Sequence, residues 1–546
     1  MRYLPVLVTA LSLYAQADLV LRNARVWTGD PKRPWADSLA IKDGRIAATV
    51  RTGPETQVAD LGGKLVIPGF HDAHIHFAGG SLRLFQVDLT GICTLKEMQR
   101  AVADYARANP DEAWITGSGW EYYCFPDSRL PRKQDLDAVV ADRPVFLRTY
   151  DGHTGWANSM ALRIAEITRD TKFEGFGEIV RDASGEPSGA LKEGAMGLVG
   201  RHLPRPTRER RLEALRRGMS LAASLGITSI QNAGGGADEL SLYEELLRRN
   251  ELTLRVRLAV SAGKASDAEI AAWPRRKEPM LSTGAVKFSI DGVIESKTAA
   301  MLEPYSDGST DRGPLSWKPD EFQAAVARCH AAGWQILVHA IGDAGVRTAL
   351  DAFQAALRTH PARDPRFRIE HIEIIHPDDV PRFAALGVLP SMQPIHADPD
   401  TIHVWSRLIG DKRLPYSFPW RSLESAGARL VFSSDWPASI SLAPIRGIHN
   451  AVNRRTIAGT PNEGWLPHQR VTLETALRAY TVAGAYASFE EEQKGTLTPG
   501  KYADLVVLSQ DPFRIDPIDI HKTRVLHTLV GGKQVYGDLR GPARIN

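Results

Sequence analysis

A chain of 546 residues is too long for one simple core, so it reads as two to four domain equivalents or one large α/β barrel with insertions. Hydrophobic residues at 43% and charged residues at 24% exclude a disordered or fibrous chain. A formal net charge of +3 is close to neutral at this length and gives no electrostatic case for nucleic acid or a membrane surface.

The chain opens with MRYLPVLVTALSLYAQA, residues 1–17, in which Arg2 precedes an apolar run from Leu4 to Tyr14. The run is too short to span a bilayer and ends in Ala15-Gln16-Ala17, a small-x-small cleavage site. It reads as a signal peptide for export, periplasmic or secreted, with a mature chain starting near Asp18 and holding no membrane span. An apolar first strand of the fold is the alternative. No cysteine follows the run, which argues against a lipid anchor.

LVLRNARVWTGD (19–30) and SLAIKDGRIAATV (38–50) alternate as half-buried strands do, with Asp43-Gly44 as a hairpin turn. ADLVVLSQDP (503–512) and VLHTLVGGKQVYG (525–537) echo that pattern at the other end. The expectation is one small β domain built from residues 18–67 and 491–546, flanking a long α/β middle over 68–490.

Within that middle, short apolar strands alternate with amphipathic helices such as 319–333 and 342–357. The expected strands are 66–76, 226–232, 254–260, 285–291, 335–341, 367–373, 388–393 and 429–435. Eight parallel strands alternating with helices is the arithmetic of an α/β fold of the (β/α)8 barrel type. Residues 78–205 break the rhythm and read as a large insertion after the first strand, a lid or substrate pocket over the active-site end. Two of its segments, WITGSGW (114–120) and PVFLRTY (144–150), are strand-like and put the barrel count at risk by one.

Cys93, Cys124 and Cys329 are scattered and odd in number, which excludes a disulfide framework and a cysteine-based zinc site. Buried free thiols are expected, with a single Cys93–Cys124 bridge as the alternative. RPTRERRLEALRRG (205–218) interleaves arginine with Glu209 and Glu213 at helical spacing and reads as a solvated helix face.

The chemistry concentrates in VIPGFHDAHIHF, residues 66–77. Side chains alternate along a strand, so His74 and His76 share a face with Asp72 one step below, while His71 points the other way and is assigned to structure. Two imidazoles at i and i+2 can reach one ion at about 2.1 Å. On their own they are weak evidence, but His339, His371 and Asp435 also fall at C-terminal ends of expected barrel strands, and Lys287 lies on a fourth. As single residues, each is more simply a packed histidine, a buried ion-pair lysine or a turn-capping aspartate. Taken together at one rim, they point to a metal site.

PGFHDAHIH, VKFSIDG, LVHAIGD, RIEH and SSDWP, in this order, resemble the amidohydrolase superfamily of metal-dependent hydrolases. GTLTPGKYADLVVL and YDGHTGWANSMAL point more narrowly to its amidohydrolase 3 branch, which is similar to N-substituted formamide deformylase. The resemblance covers nearly the whole mature chain. It implies a (β/α)8 barrel, a small β-sandwich from both ends, and hydrolysis of a non-peptide amide or related C–N bond. By position it implies that His74, His76, His339, His371 and Asp435 are metal ligands and that Lys287 is a carbamylated lysine bridging two ions. Two departures, Ala344 where relatives often have arginine and DGVIESKTAA in place of DGSLGSRTA, touch the substrate region.

The expected cofactor is one or two Zn²⁺ per chain, with other divalent transition metals also suited to these donors. Such ions generate a hydroxide nucleophile and polarise the scissile carbonyl, while Asp435 takes the proton from water and returns it to the leaving amine. Asp72 braces the ligands from behind. His153 and His396 are further catalytic candidates for binding the carbonyl oxygen, the alternative for each being a loop histidine bonded to backbone. Trp120, Tyr122, Tyr123 and Trp156 are expected to form the core of the insertion rather than an aromatic pocket. The expected partner is a small-molecule substrate, most simply an N-formyl or N-acyl compound, with a homodimer as a further expectation. The rival readings are a hydrolase of a cyclic amide, ester or carbamate, and a catalytically inactive binding barrel.

Overall fold

The computed structural model describes residues 16–539 apart from 49, 126–128, 151, 176, 263–266 and 361–363. The expected signal peptide lies almost wholly outside the described residues, and the side chain of Tyr123 lies outside them too.

Eight parallel strands form one sheet in sequence order: β1 Phe70–Ile75, β2 Ile227–Gly235, β3 Arg255–Ser261, β4 Leu281–Ser289, β5 Gln335–Ala340, β6 Arg368–His371, β7 Leu389–Met392 and β8 Val431–Phe432. β8 is only two residues long, and the ring is completed beyond it by two backbone bonds, Asp435 N–H to the His74 carbonyl at 2.9 Å and His76 N–H to the Trp436 carbonyl at 2.8 Å. The strands are buried on both faces, as a parallel sheet covered by helices must be. Helices including Arg208–Ser224, Ala237–Arg248, Pro319–Ala331 and Asp343–Thr359 pack around the sheet. All eight expected barrel strands are present, and WITGSGW and PVFLRTY belong to a different sheet.

Two strands end earlier than the hydrophobic pattern suggests. β6 stops at His371 (φ +77°), and β8 stops three residues before Asp435 (φ +58°). Positive φ is unfavourable for a side chain with a Cβ, so the extended backbone breaks where these two side chains must turn over the barrel mouth.

The other end of the barrel is closed by helix Val482–Ala487. Gln335, the first residue of β5, donates from Nε2 to the Ala487 carbonyl at 2.7 Å, and Ala73, Leu389 and Val431 pack on Ala483 and Ala487. His71 faces this helix as well: it is 3% exposed, and Gly484 lies so close that a Cβ there would sit 2.6 Å from the imidazole Cγ.

Both chain ends build the small β domain. One sheet holds Leu19–Arg22, Leu39–Lys42, Arg45–Ile46 and Gln57–Asp60; the other combines Arg25–Trp27, Trp35–Ala36 and Leu65–Pro68 with Leu505–Leu508, Val525–Val530 and Lys533–Tyr536. Leu21, Ile41, Val66, Leu505 and Leu529 share its core. The chain passes from this domain into β1 through Gly69, where a Cβ would lie 2.2 Å from Thr228 Oγ1. Only glycine fits so close an approach.

Between β1 and β2 a six-stranded sheet intervenes, in the order Gly177–Arg181, Pro187–Glu193, Thr154–Ala157, Val145–Thr149, Ile115–Trp120 and Val87–Asp88. Trp120 and Trp156 are fully buried in its core, edge to face at 6.4 Å, with Tyr122 packed against them. Cys93 and Cys124 form a disulfide within this unit, which corrects the expectation of free thiols; Cys329 is free and buried. Spacing alone could not reveal the bridge, because the two Cα atoms, 31 residues apart in sequence, are brought to 4.6 Å only by the folded sheet. The basic helix Arg208–Ser224 buries Leu212, Leu215 and Met219 and pairs its arginines outward, Arg216 with Glu251 and Arg208 with Glu245.

Candidate metal centre

Four barrel strands, β1, β5, β6 and β8, deliver side chains to one mouth. His74 comes from β1, His76 from the first position beyond it, His339 from β5, His371 from the end of β6, and Asp435 from the turn after β8. The Asp435 carboxylate is the hub. Its Oδ1 lies 3.3 Å from His74 Nε2 and 3.5 Å from His76 Nε2, and its Oδ2 lies 3.6 Å from His396 Nε2 and 3.9 Å from His371 Nδ1. The His339 and His371 rings are 4.5 Å apart, and those of His74 and His371 4.9 Å.

The buried imidazoles are each held from behind. His74 Nδ1 bonds Glu370 Oε2 at 2.7 Å, His371 Nδ1 bonds Gln393 Oε1 at 2.8 Å, and His339 Nε2 bonds the Gly292 carbonyl at 3.0 Å. All three partners are acceptors. Each imidazole therefore carries its proton on the bonded nitrogen, which leaves the other nitrogen with a lone pair. Gln393 is itself oriented by donating from Nε2 to Ser433 Oγ at 2.9 Å. Beneath Glu370, the Arg368 guanidinium pairs with its carboxylate at 2.9 Å and donates to Gln231 Oε1 and the Ala73 carbonyl, both at 2.7 Å.

Electrostatics favour neutral His339 and His371 and ionised Glu370 and Asp435. Burial, then the nearby Lys287 charge, pushes His339 down to about 3, and burial holds His371 well below its ordinary value. Burial alone would raise Glu370, but Arg368 and then His74 outweigh it and bring its carboxyl to about 2. Burial likewise opposes Asp435, yet His74, His371 and His76 hold it well below the usual carboxylate range. Lys287, on β4, is 7% exposed, and among the described residues its amine has no hydrogen bond or ion pair. Desolvation lowers its pKa, against the opposing charges of Glu370 and Asp435.

The arrangement fits a metal ion. His74 Nε2 and Asp435 Oδ1 are buried atoms with no hydrogen-bond partner, each a cost of about 1–3 kcal/mol if left so. One ligand atom each from His74, His371 and Asp435 lie within 4.8 Å of one another. Nitrogen and oxygen donors converging on one point are what a divalent transition metal requires.

The remaining expected residues fall nearby. Asp72 does not touch an imidazole; its Oδ1 accepts from the Ser434 N–H at 3.1 Å and the His74 N–H at 3.4 Å, tying β1 to the segment before Asp435. Burial raises its pKa to about 6. A cavity of about 200 Å³ opens above the cluster, walled by His76, His339, His371, His396 and Asp435. The insertion contributes Tyr150 and His153, whose Nδ1 lies 3.0 Å from Glu193 Oε2; His153 is thus bonded to a carboxylate. Ile341, Ile395, Trp405 and Ile440 form the apolar wall, with Glu295 and Glu373 beside them. Val293 and Glu295, two of the positions at which DGVIESKTAA departs from the commoner motif, both line this cavity. His396 sits in the short helix Pro394–Ala397 with Nδ1 3.5 Å from Glu373 Oε1. Burial lowers its pKa, but Glu373 and Asp435 outweigh that and leave it raised.

Sequence reasoning missed Glu370, Arg368, Gln393, Glu373 and Glu193. Glu370 directly precedes a named ligand and had a readable signal, a carboxylate inside an apolar strand. Arg368, two residues before Glu370 on the same strand, shared that signal; Gln393, Glu373 and Glu193 had none, since their partners are distant in the chain.

The chain is similar to known proteins over most of its length. The chain is 33% identical over 539 residues to Protein LONG AFTER FAR-RED 3 of Arabidopsis thaliana, covering 95% of this chain and 92% of that one. It is 29% identical over 550 residues to the N-substituted formamide deformylase of Arthrobacter pascens, covering 95% and 98%. An uncharacterized metal-dependent hydrolase from Pyrococcus furiosus superposes with a TM-score of 0.71 at 27% identity, over 91% of this chain and all of that one. The sequence profile of the Amidohydrolase family matches residues 57–536. With a barrel whose mouth gathers histidines around one aspartate, the chain belongs to the amidohydrolase family and is a metal-dependent hydrolase.

Proposed function

We propose that this hydrolase cleaves a non-peptide C–N bond of a small amide, an N-formyl or N-acyl compound. The observation that carries the reading is the pair of buried atoms without a hydrogen-bond partner, His74 Nε2 and Asp435 Oδ1, 3.3 Å apart, with Asp435 lining a small cavity. The similarity to N-substituted formamide deformylase supports the bond type, and a cavity of about 200 Å³ suits a formyl or short acyl arm.

His74, His76, His339, His371 and Asp435 would hold one or two divalent ions, Zn²⁺ being the best match to imidazole and carboxylate donors. A bound ion supplies Lewis acidity toward the scissile carbonyl and toward water. Lys287 completes the set as a carbamate: its deprotonated amine, which desolvation favours, would add CO₂ through a new N–C bond and release a proton to solvent, becoming an anionic ligand.

Asp435 acts as the proton carrier. Its carboxylate is held anionic and stands at the cavity wall, so it accepts a proton from the attacking water and returns it to the leaving amine. His396, supported in its protonated form by Glu373 and Asp435, donates toward the carbonyl oxygen as charge develops there. His153, oriented by Glu193 from the insertion, is the second donor to that oxygen. Trp405 donates from Nε1 to Glu373 Oε2 at 2.7 Å and keeps that carboxylate turned toward His396.

Export completes the proposal. Residues 1–17 carry the leader pattern, and a Cys93–Cys124 disulfide belongs to an oxidising compartment. Among the described residues no helix is long and apolar enough to cross a membrane.

The test is elemental analysis of the purified protein together with a panel of N-formyl, N-acyl, lactam and ester compounds. Stoichiometric transition metal with turnover of open-chain amides is expected. Absence of metal, or a His74→Ala variant as active as the native protein, would refute the mechanism.

A further inference from the structure

Beside the metal cavity lies a second one of about 390 Å³, which shares His76 and Ala438 with it. The two follow one another along a single strand of the insertion, Val145–Thr149 and the Tyr150 that continues it. Side chains alternate along a strand, so Phe146, Arg148 and Tyr150 face the barrel together. Tyr150 lines the metal cavity, and Phe146 and Arg148 line the second. Thr116 and Ser118 stand opposite Phe146 and Arg148 in register on the neighbouring strand and extend the same wall.

The charged side chains that line the two cavities differ in sign. Among the described residues, the metal cavity is lined by Glu295, Glu373 and Asp435 and by no lysine or arginine. The second is lined by Arg83 and Arg148 and, among the same residues, by no carboxylate. Arg83 is engaged, donating from Nη1 to the Pro437 carbonyl at 2.9 Å. Among the described residues the Arg148 guanidinium has no hydrogen bond and no ion pair; it lies 5.9 Å from the centre of the Phe146 ring. It stands in the cleft within reach of water, yet enough protein surrounds it to lower its pKa, and no anion offsets that desolvation.

We propose that this second cavity is a substrate subsite and that Arg148 receives a carboxylate carried on one arm of the amide. The proposal rests on the amide-hydrolase reading and names the substrate class more closely. A substrate lying across His76 would keep its neutral, compact arm against the apolar wall beside Trp405. Its anionic arm would lie away from Glu295 and Glu373 and toward the arginine. A guanidinium offers a fork of N–H donors that matches both oxygens of a carboxylate. The arrangement would also favour one orientation of the substrate, since the reversed pose sets its carboxylate beside Glu295 and Glu373 and leaves Arg148 without an anion.

The test compares N-formylbenzylamine with 4-(formamidomethyl)benzoate, which differ only by a carboxylate, on the metal-loaded protein. The native protein is expected to show the lower KM for the carboxylate compound. In Arg148→Gln the ratio of the two KM values should shift by about tenfold or more against that compound, the range of a lost charge-assisted hydrogen bond. Arg148→Lys should restore part of the ratio, and it carries the test if the glutamine variant fails to fold. If neither formamide is hydrolysed, the amide reading fails and the same ratio is read from calorimetric dissociation constants, because nothing then consumes the ligand. A native protein indifferent to the carboxylate, or an Arg148→Gln change that moves both compounds equally, overturns the subsite.

Discussion

His74 Nδ1 lies 2.7 Å from Glu370 Oε2, with both side chains fully buried in the barrel. This contact fixes the imidazole proton on Nδ1 and aims Nε2 at Asp435. Removing the charge of Glu370 while keeping its shape should therefore weaken the metal site without emptying the core. Glu370→Gln is expected to lower metal affinity by about 10- to 100-fold, measured by competition with a calibrated chelator. Unchanged affinity would show that Glu370 does not orient His74.

Asp435 combines a left-handed backbone, φ +58°, with contacts to four histidines. Asparagine tolerates that backbone better than alanine does, so Asp435→Asn isolates the carboxylate. Its turnover should fall by about 10²- to 10⁴-fold, the scale of lost proton transfer. Metal content, read by elemental analysis, should fall far less than activity. An equal loss of both would make Asp435 a ligand alone.

His71 is buried at the closed end of the barrel, with Nδ1 unpartnered and Nε2 3.4 Å from Ser488 Oγ. Burial, aided by Lys494, depresses its pKa well below the ordinary 6.5. The unfolded chain therefore binds this proton more readily, and stability present above about pH 6.5 is lost as the pH falls. Between pH 7.5 and 5 the native protein should lose up to about 2 kcal/mol more than His71→Gln, as measured by urea unfolding at each pH. Parallel pH profiles for the two proteins would contradict the assignment.

The bridge between Cys93 and Cys124 leaves Cys329 as the free cysteine. Protein unfolded in denaturant without reductant should therefore react with one equivalent of thiol reagent, and with three after reduction. Replacing both bridged cysteines by serine should lower the stability of the insertion by about 2–4 kcal/mol, followed by proteolysis of that region. Three reactive thiols in unreduced protein would count against both the bridge and export.

The barrel was readable because its strands are short apolar runs separated by amphipathic helices, and all eight are found in order. His74, His339, His371 and Asp435 were readable because barrel chemistry gathers at the C-terminal ends of strands. The partners that orient them were not. Gln393 is 22 residues from His371, Glu370 is 296 from His74, and Glu193 is 40 from His153. No local periodicity encodes such pairs.

The amino-acid sequence by itself determined the parts: strand and helix periods, a β domain split between the two ends, and a set of donors placed at strand termini. These follow from alternation and spacing, which act over a few residues. Tertiary structure decided how the parts act together. It broke the extended backbone at His371 and Asp435 so that their side chains turn over the mouth. It set Glu370, Gly292 and Gln393 behind three imidazoles, closed Cys93 on Cys124, and laid the Arg148 cavity against the metal cavity at His76. Those relationships join distant segments, and only the folding of the barrel and of the inserted sheet brings the segments together.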